Sequence, residues 1–202
     1  MRIFRELICF WICLVSGFAF AQENYPNKSI KVFVGFPAGT STDIIARVYA
    51  QNLSETFKVP VVVENKAGAS SNIAAESVFN SEPNGYTLLL GTIANSITSS
   101  LYKNLEFNFA NDFVPIAMIG SATTVLVVKA NSNLSNVQDL INLAKTNPKD
   151  VTYGSAGIGT APHMAGELLN LMAGTSMLHI PYKGNNQGIT DLIGGQLTAV
   201  FT

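Results

Sequence analysis

Residues 30–57 pass from an apolar run, Ile30-Lys31-Val32-Phe33-Val34, through a loop of small residues into a helical pattern carrying Ile44, Ile45, Val48 and Leu53. The loop reads Phe36-Pro37-Ala38-Gly39-Thr40-Ser41-Thr42-Asp43. A strand ends, a turn follows and a helix begins, so unpaired first-turn N–H groups face the loop, and such groups favour anions. Gly39 permits close backbone approach to a ligand. A structural alternative is an ordinary strand–helix turn with Thr42 or Asp43 as N-cap. A second loop of the same kind is Tyr153-Gly154-Ser155-Ala156-Gly157-Ile158-Gly159-Thr160, and neither loop contains Lys or Arg. Two uncharged, donor-rich loops predict a receptor for a small anion.

The N-terminus reads as an export signal. Arg2 and Arg5 precede an apolar stretch from Leu7 to Phe18, and Ala19-Phe20-Ala21 is a small-x-small cleavage site, so residues 1–21 are expected to be a cleaved signal peptide. The apolar stretch is shorter than the roughly 20 residues that span a bilayer. Both cysteines, Cys9 and Cys13, fall inside it, which excludes disulfide, thiol and thiolate-metal chemistry from the mature chain. The 12 basic and 13 acidic residues become 10 and 12 after cleavage, without a basic cluster, so the electrostatic footprint of nucleic-acid binding is missing.

Strand and helix signals alternate from there. Strands are expected at 30–34, 59–64 (buried, from its Val61-Val62-Val63 run) and 86–91, with helices at 42–57 and 72–79. Apolar runs at 116–120 and 125–129 open a second unit, and Ser135-Asn136-Val137-Gln138 resembles a capping box for a helix to about Thr146. Strand 151–153, helix 161–173, strand 177–180, helix 187–193 and strand 197–201 complete the pattern. The reading is α/β, with domain 1 over 22–120 and domain 2 over 121–202. Because the last residues lie inside a strand pattern, a truncated C-terminus is expected.

Several chemical motifs are incomplete. Gly154 and Gly159 have Walker A spacing, but Thr160 stands where the Lys belongs, Pro162 replaces the third Gly of a dinucleotide fingerprint, and Tyr153 replaces the first Gly of a nucleophile elbow around Ser155. His163 and Glu167 share a helix face, with His179 elsewhere. A metal site needs three or more placed ligands, so neither a metal nor another cofactor is expected. Lys183 is a cation near a loop mouth.

Seven segments, in order, resemble the tripartite tricarboxylate transporter receptors, the Bug-type extracytoplasmic solute-binding proteins. They are Tyr25-Pro26; Phe36-Pro37-Ala38-Gly39 with Asp43 and Arg47; Val63-Glu64-Asn65-Lys66-Ala67-Gly68; Pro83-Asn84-Gly85-Tyr86-Thr87-Leu88; Tyr153-Gly154-Ser155 with Gly157 and Gly159; His179 to Gly184; and Asp191 to Gly195. The resemblance implies a two-domain periplasmic-binding-protein-like (type II) fold, C-terminally truncated here, and a periplasmic, monomeric, non-enzymatic receptor. Its ligand would be a small mono-, di- or tricarboxylate and its partners membrane permease subunits. The implied contacts are Phe36, Ala38, Gly39, Thr40, Ser41, Thr42 and Asp43 in the first loop, and Ser155, Gly157, Gly159, Thr160 and His163 in the second. Thr92, Ala94 and Pro181 would border the same cleft. Thr40 stands where the family usually has a second Gly. Two alternatives are an exported hydrolase using Ser155 with His163 or His179, and a ligand-sensing interaction module.

Overall fold

The computed structural model describes residues 24–148 and 150–202, so the expected signal peptide lies outside the described residues. Three strands form a first sheet: β1 (Ile30–Val34), β2 (Val61–Asn65) and β3 (Thr87–Leu90), in the order β2-β1-β3. Both pairings are parallel, with Val32 opposite Val63 on one side and Leu88 on the other. Parallel strands need crossovers, supplied by helices α1 (Ser41–Phe57) and α2 (Asn72–Phe79). Helix α3 (Ile93–Leu101) follows β3.

A second sheet holds β4 (Leu126–Val128), β5 (Thr152–Ser155), β6 (Leu178–Pro181) and β7 (Ala199–Phe201), in the order β4-β7-β5-β6. Strands β5, β6 and β7 run parallel, and β4 is antiparallel to β7. Helices α4 (Val137–Thr146) and α5 (Ala161–Ala173) cover one face, where Leu140, Ala144, Val151, Tyr153, Met177, Ala199 and Phe201 are buried together. Helix α6 (Asn185–Gly194) covers the other, where its Leu192 is buried with Leu197 and Val200. The first sheet's cluster of Val34, Phe36, Ala46 and Ala94 also takes in Ala156, which comes from the loop after β5. The two sheets therefore meet at their strand exits.

Helices α2 and α5 have the bounds the sequence predicts, and most other elements differ by one or two residues. Four expectations need correction. Strand β2 is an edge strand with Val62 exposed to 45%, because among the described residues no strand lies beyond it. Residues 114–124 are irregular, and the apolar Ile116 and Met118 are solvent-facing; Pro115 and, among the described residues, the absence of a partner strand keep them out of a ladder. Asn136, not Ser135, caps α4, since Asp139 three residues on accepts from the Asn136 amide at 3.2 Å while its own amide donates to Asn136 Oδ1 at 3.0 Å. Helix α1 is likewise capped by Thr40 rather than by Thr42 or Asp43.

The packing of α5 on the second sheet depends on Gly166, where a Cβ would fall 2.2 Å from the Tyr153 ring. Gly194, at the end of α6, has open space around it. Gly166→Ala is expected to cost about 1–3 kcal/mol by overpacking, whereas Gly194→Ala is expected to gain up to about 1 kcal/mol from helix propensity. Urea unfolding of both variants checks the contrast.

Candidate functional site

A cleft of about 630 Å³ opens between the two sheets, lined by residues from the loops that leave β1, β3, β5 and β6. Each of those loops starts a helix. Four helix N-termini converge as a result: Thr40, Ser41 and Thr42 of α1; Thr92, Ile93 and Ala94 of α3; Thr160, Ala161 and Pro162 of α5; and Gly184 and Asn185 of α6. Phe36, Ile45, Leu90, Ala156 and the irregular residues 118–124 make up much of the remaining wall. No lining residue carries a charged side chain. Positive potential in the cleft comes from amides. Loop and cap bonds occupy the Thr40, Asp43, Asn95 and Thr160 N–H groups. Those of Ser41, Thr42, Ile93, Ala94, Ala161 and Asn185 meet no protein acceptor among the described residues.

The first loop is held from behind by Asp43. Its Oδ2 accepts from the Gly39 amide at 2.9 Å and from Arg47 Nε at 3.0 Å, and its Oδ1 accepts from Asn65 Nδ2 at 2.8 Å. Asn65 Nδ2 also reaches the Phe36 carbonyl at 3.0 Å, which ties β2 to the same loop. Burial raises the Asp43 pKa, but the hydrogen bonds from Arg47, Gly39 and Asn65 outweigh it and hold the carboxyl at about 2. The Thr40 hydroxyl donates to the Pro37 carbonyl at 2.8 Å and receives the Asp43 amide at 3.5 Å.

The second loop is braced by histidines. Ser155 Oγ and His179 Nε2 are 2.7 Å apart, and the Gly159 amide donates to His163 Nδ1 at 3.1 Å. The two imidazoles lie with centroids 4.2 Å apart, and Tyr153 stacks on His179 while its hydroxyl donates to Glu167. Thr160 Oγ1 donates to the Gly157 carbonyl at 2.7 Å. Burial pushes both histidines below their usual pKa, His179 to about 4 with help from neighbouring His163, while Glu167 opposes the shift. Neutral histidines suit these roles, since His163 Nδ1 accepts a proton-bearing amide.

Of the residues singled out from sequence, Phe36, Thr40, Ser41, Thr42, Thr92, Ala94 and Thr160 line the cleft. Ala38, Gly39, Asp43, Ser155, Gly157, Gly159, His163 and Pro181 do not. Asp43 and His163 brace their loops instead, and exposed Pro181 ends β6 before the chain reaches the wall at Gly184 and Asn185. The alternative nucleophile Ser155 does meet His179, but it is 1% exposed and outside the cleft lining. Among the described residues, no three His, Cys, Asp or Glu side chains are grouped to hold a metal. Ile93 sits between Thr92 and Ala94, in the strand exit expected to border the cleft, whereas Asn185 and residues 118–124 carry no motif that points to the site.

Both histidines have native pKa values below 6.5, so the unfolded chain binds more protons than the native one at mildly acidic pH. Their stabilising effect is complete above about pH 6.5 and is lost as pH falls towards 4. Urea midpoints are therefore expected to fall across that window, and His179→Gln is expected to flatten the profile. A pH-independent wild-type midpoint contradicts the assignment. Asp43 contributes separately: its stabilising effect is lost only at lower pH, as the pH falls towards about 2.

The tripartite tricarboxylate transporter family receptor model matches residues 45–202. A UPF0065 protein of Bordetella pertussis is 37% identical over 171 residues, 84% of this chain and 53% of its own. Protein BugT of the same organism is 35% identical over 181 residues, 89% of this chain and 56% of its own. The R. palustris protein Rpa4515, solved with adipate, superposes with a TM-score of 0.84 at 32% identity over 88% of this chain and 60% of that one. A structure described as a periplasmic transporter gives 0.81 at 35% identity, with the same coverage of 88% and 60%. The chain thus spans about half the length of these curated relatives. The match over residues 45–202, supported by two relatives above 30% identity, places the chain in the tripartite tricarboxylate transporter receptor family, with its type II periplasmic-binding-protein fold.

Proposed function

We propose that the protein is a periplasmic solute-binding receptor that takes a small carboxylate in the cleft and delivers it to membrane permease subunits. The observation that carries this reading is the convergence of four helix N-termini on a cleft without a charged side chain. Supporting it, the R. palustris relative was solved with adipate. In this reading residues 1–21 are the export signal, residues 22–120 and 121–202 are the two lobes, and the receptor is a monomer that catalyses nothing. The contacts would be the cleft-lining residues named above, chiefly the first-turn amides and the Thr and Asn side chains beside them.

Magnitudes agree with a multi-contact site. Four helix termini at about 0.3–1 kcal/mol each provide about 1–4 kcal/mol. Micromolar binding needs about 8 kcal/mol. Hydrogen bonds to a charged group contribute about 1.5–3 kcal/mol each, so about two to five must converge. One loop offers two free amides and falls short. Loops from both sheets together suffice, and this is why the cleft lies between them. The volume, about 630 Å³, sits within the usual range of about 300–1,000 Å³ for small-molecule sites. Its apolar wall of Phe36, Ile45, Leu90 and Ile93 suits an aliphatic segment between carboxylates.

Calorimetric titration with mono-, di- and tricarboxylates tests the proposal, with heat expected for at least one. Thr42→Asp makes the test specific. A carboxylate in the first turn of α1 favours the helix, yet sets a like charge against the ligand. The melting temperature is expected to stay level or rise while affinity falls about 100-fold. Unchanged affinity would place the anion elsewhere.

A further inference from the structure

Ala69, Ser70 and Ser71 form a single helical turn with φ values of 45°, 53° and 78°. Three successive non-glycine residues in the left-handed region are unusual. Ala69 is exposed, but the two serines are enclosed, with Ser70 9% exposed and Ser71 fully buried. The strained backbone presents one hydroxyl to the other half of the molecule. Ser70 Oγ donates to the Ile158 carbonyl at 2.5 Å, across 88 residues, in the loop between β5 and α5. The approach is close: a Cβ on Gly157 would lie 3.1 Å from Ser70 Oγ. Strain of this kind persists only where the surroundings over-determine it, and it gathers at ligand clamps and switches.

A second bond ties the same two halves. Asn186 Nδ2 donates to the Gly39 carbonyl at 3.1 Å, so α6 grips the loop that starts α1. Beside it, a Cβ on Gly184 would meet Pro37 Cδ at 3.0 Å and Thr40 Cγ2 at 3.1 Å. Both bonds fall on the loops whose helix starts form the cleft, and neither Ser70 nor Asn186 lines it.

We propose that Ser70 and Asn186 are positioning residues that tie the two lobes closed over the cleft and so set how long a ligand stays bound; the ligand half of this statement rests on the receptor reading. A bond between lobes adds its free energy only when they are together. Its loss speeds opening and leaves the folding of each lobe nearly untouched. The backbone strain at Ser70 separates this role from a structural one. Ser70→Gly removes the hydroxyl and also relieves the left-handed backbone. The tie therefore predicts faster release together with an equal or higher melting temperature.

The full chain is tested with adipate as probe by stopped-flow release and thermal unfolding. Ser70→Gly and Asn186→Ala are each expected to raise the dissociation rate about three- to tenfold, with association little changed. A release rate equal to wild type overturns the proposal. So does a Ser70→Gly variant whose affinity and melting temperature fall together, because that marks a folding role. Small-angle scattering of the ligand-free chain needs no ligand. A larger radius of gyration in the double variant supports the ties, and an unchanged curve overturns them. If none of the mono-, di- and tricarboxylates binds while the scattering differs, the receptor reading is what fails.

Discussion

Parallel pairing of β1 with β3, and of β5 with β6, decides what the cleft is made of. Parallel strands deliver their carboxyl ends to one edge of a sheet, and the helix that follows each strand starts there. Two sheets meeting at those edges bring four such starts into one space. The antiparallel strand β4 is an edge strand and contributes no helix start. The anion-attracting field is thus a property of topology before it is a property of any side chain, and it needs no Lys or Arg in the wall.

Ionisable side chains are arranged to leave that field alone. Asp43 sits in the first turn of α1 but spends its charge on Gly39, Arg47 and Asn65 behind the loop. Arg47 answers Asp43 directly and reaches Asn65 Oδ1 at 3.0 Å, so the group is internally compensated. His163 and His179 are held neutral by burial and add no cation behind the second loop. What remains for a ligand is a set of amide dipoles at fixed positions, framed by apolar side chains. Such a set discriminates by the spacing of the ligand's negative groups more than by total charge.

Much of this architecture was legible in the sequence. Residues 36–43 and 154–160 read as strand-to-helix loops from their glycines and hydroxyl residues, and α2 and α5 have the bounds their periodicity predicts. Helix α3 escaped notice because Ser96, Thr98, Ser99 and Ser100 are poor helix formers, and tertiary burial of Ala94, Asn95 and Thr98 overrides that weakness. The site was half legible. Thr42 and Asp43 are neighbours in sequence, yet one lines the cleft and the other braces the loop from behind; successive helical residues point about 100° apart, and no composition signal says which way either faces. Residues 118–124 reach the wall as irregular chain, and irregular chain has no period to read.

The central claim is that backbone amides of four helix starts, and no side-chain cation, receive the anion. Amide-resolved NMR titration of the isotopically labelled chain with a dicarboxylate such as adipate tests it most directly. Ser41, Thr42, Ile93, Ala94, Ala161 and Asn185 are expected to show the largest downfield amide proton shifts, in both lobes at once. Shifts confined to one lobe, or centred on surface cations such as Lys183, would contradict it.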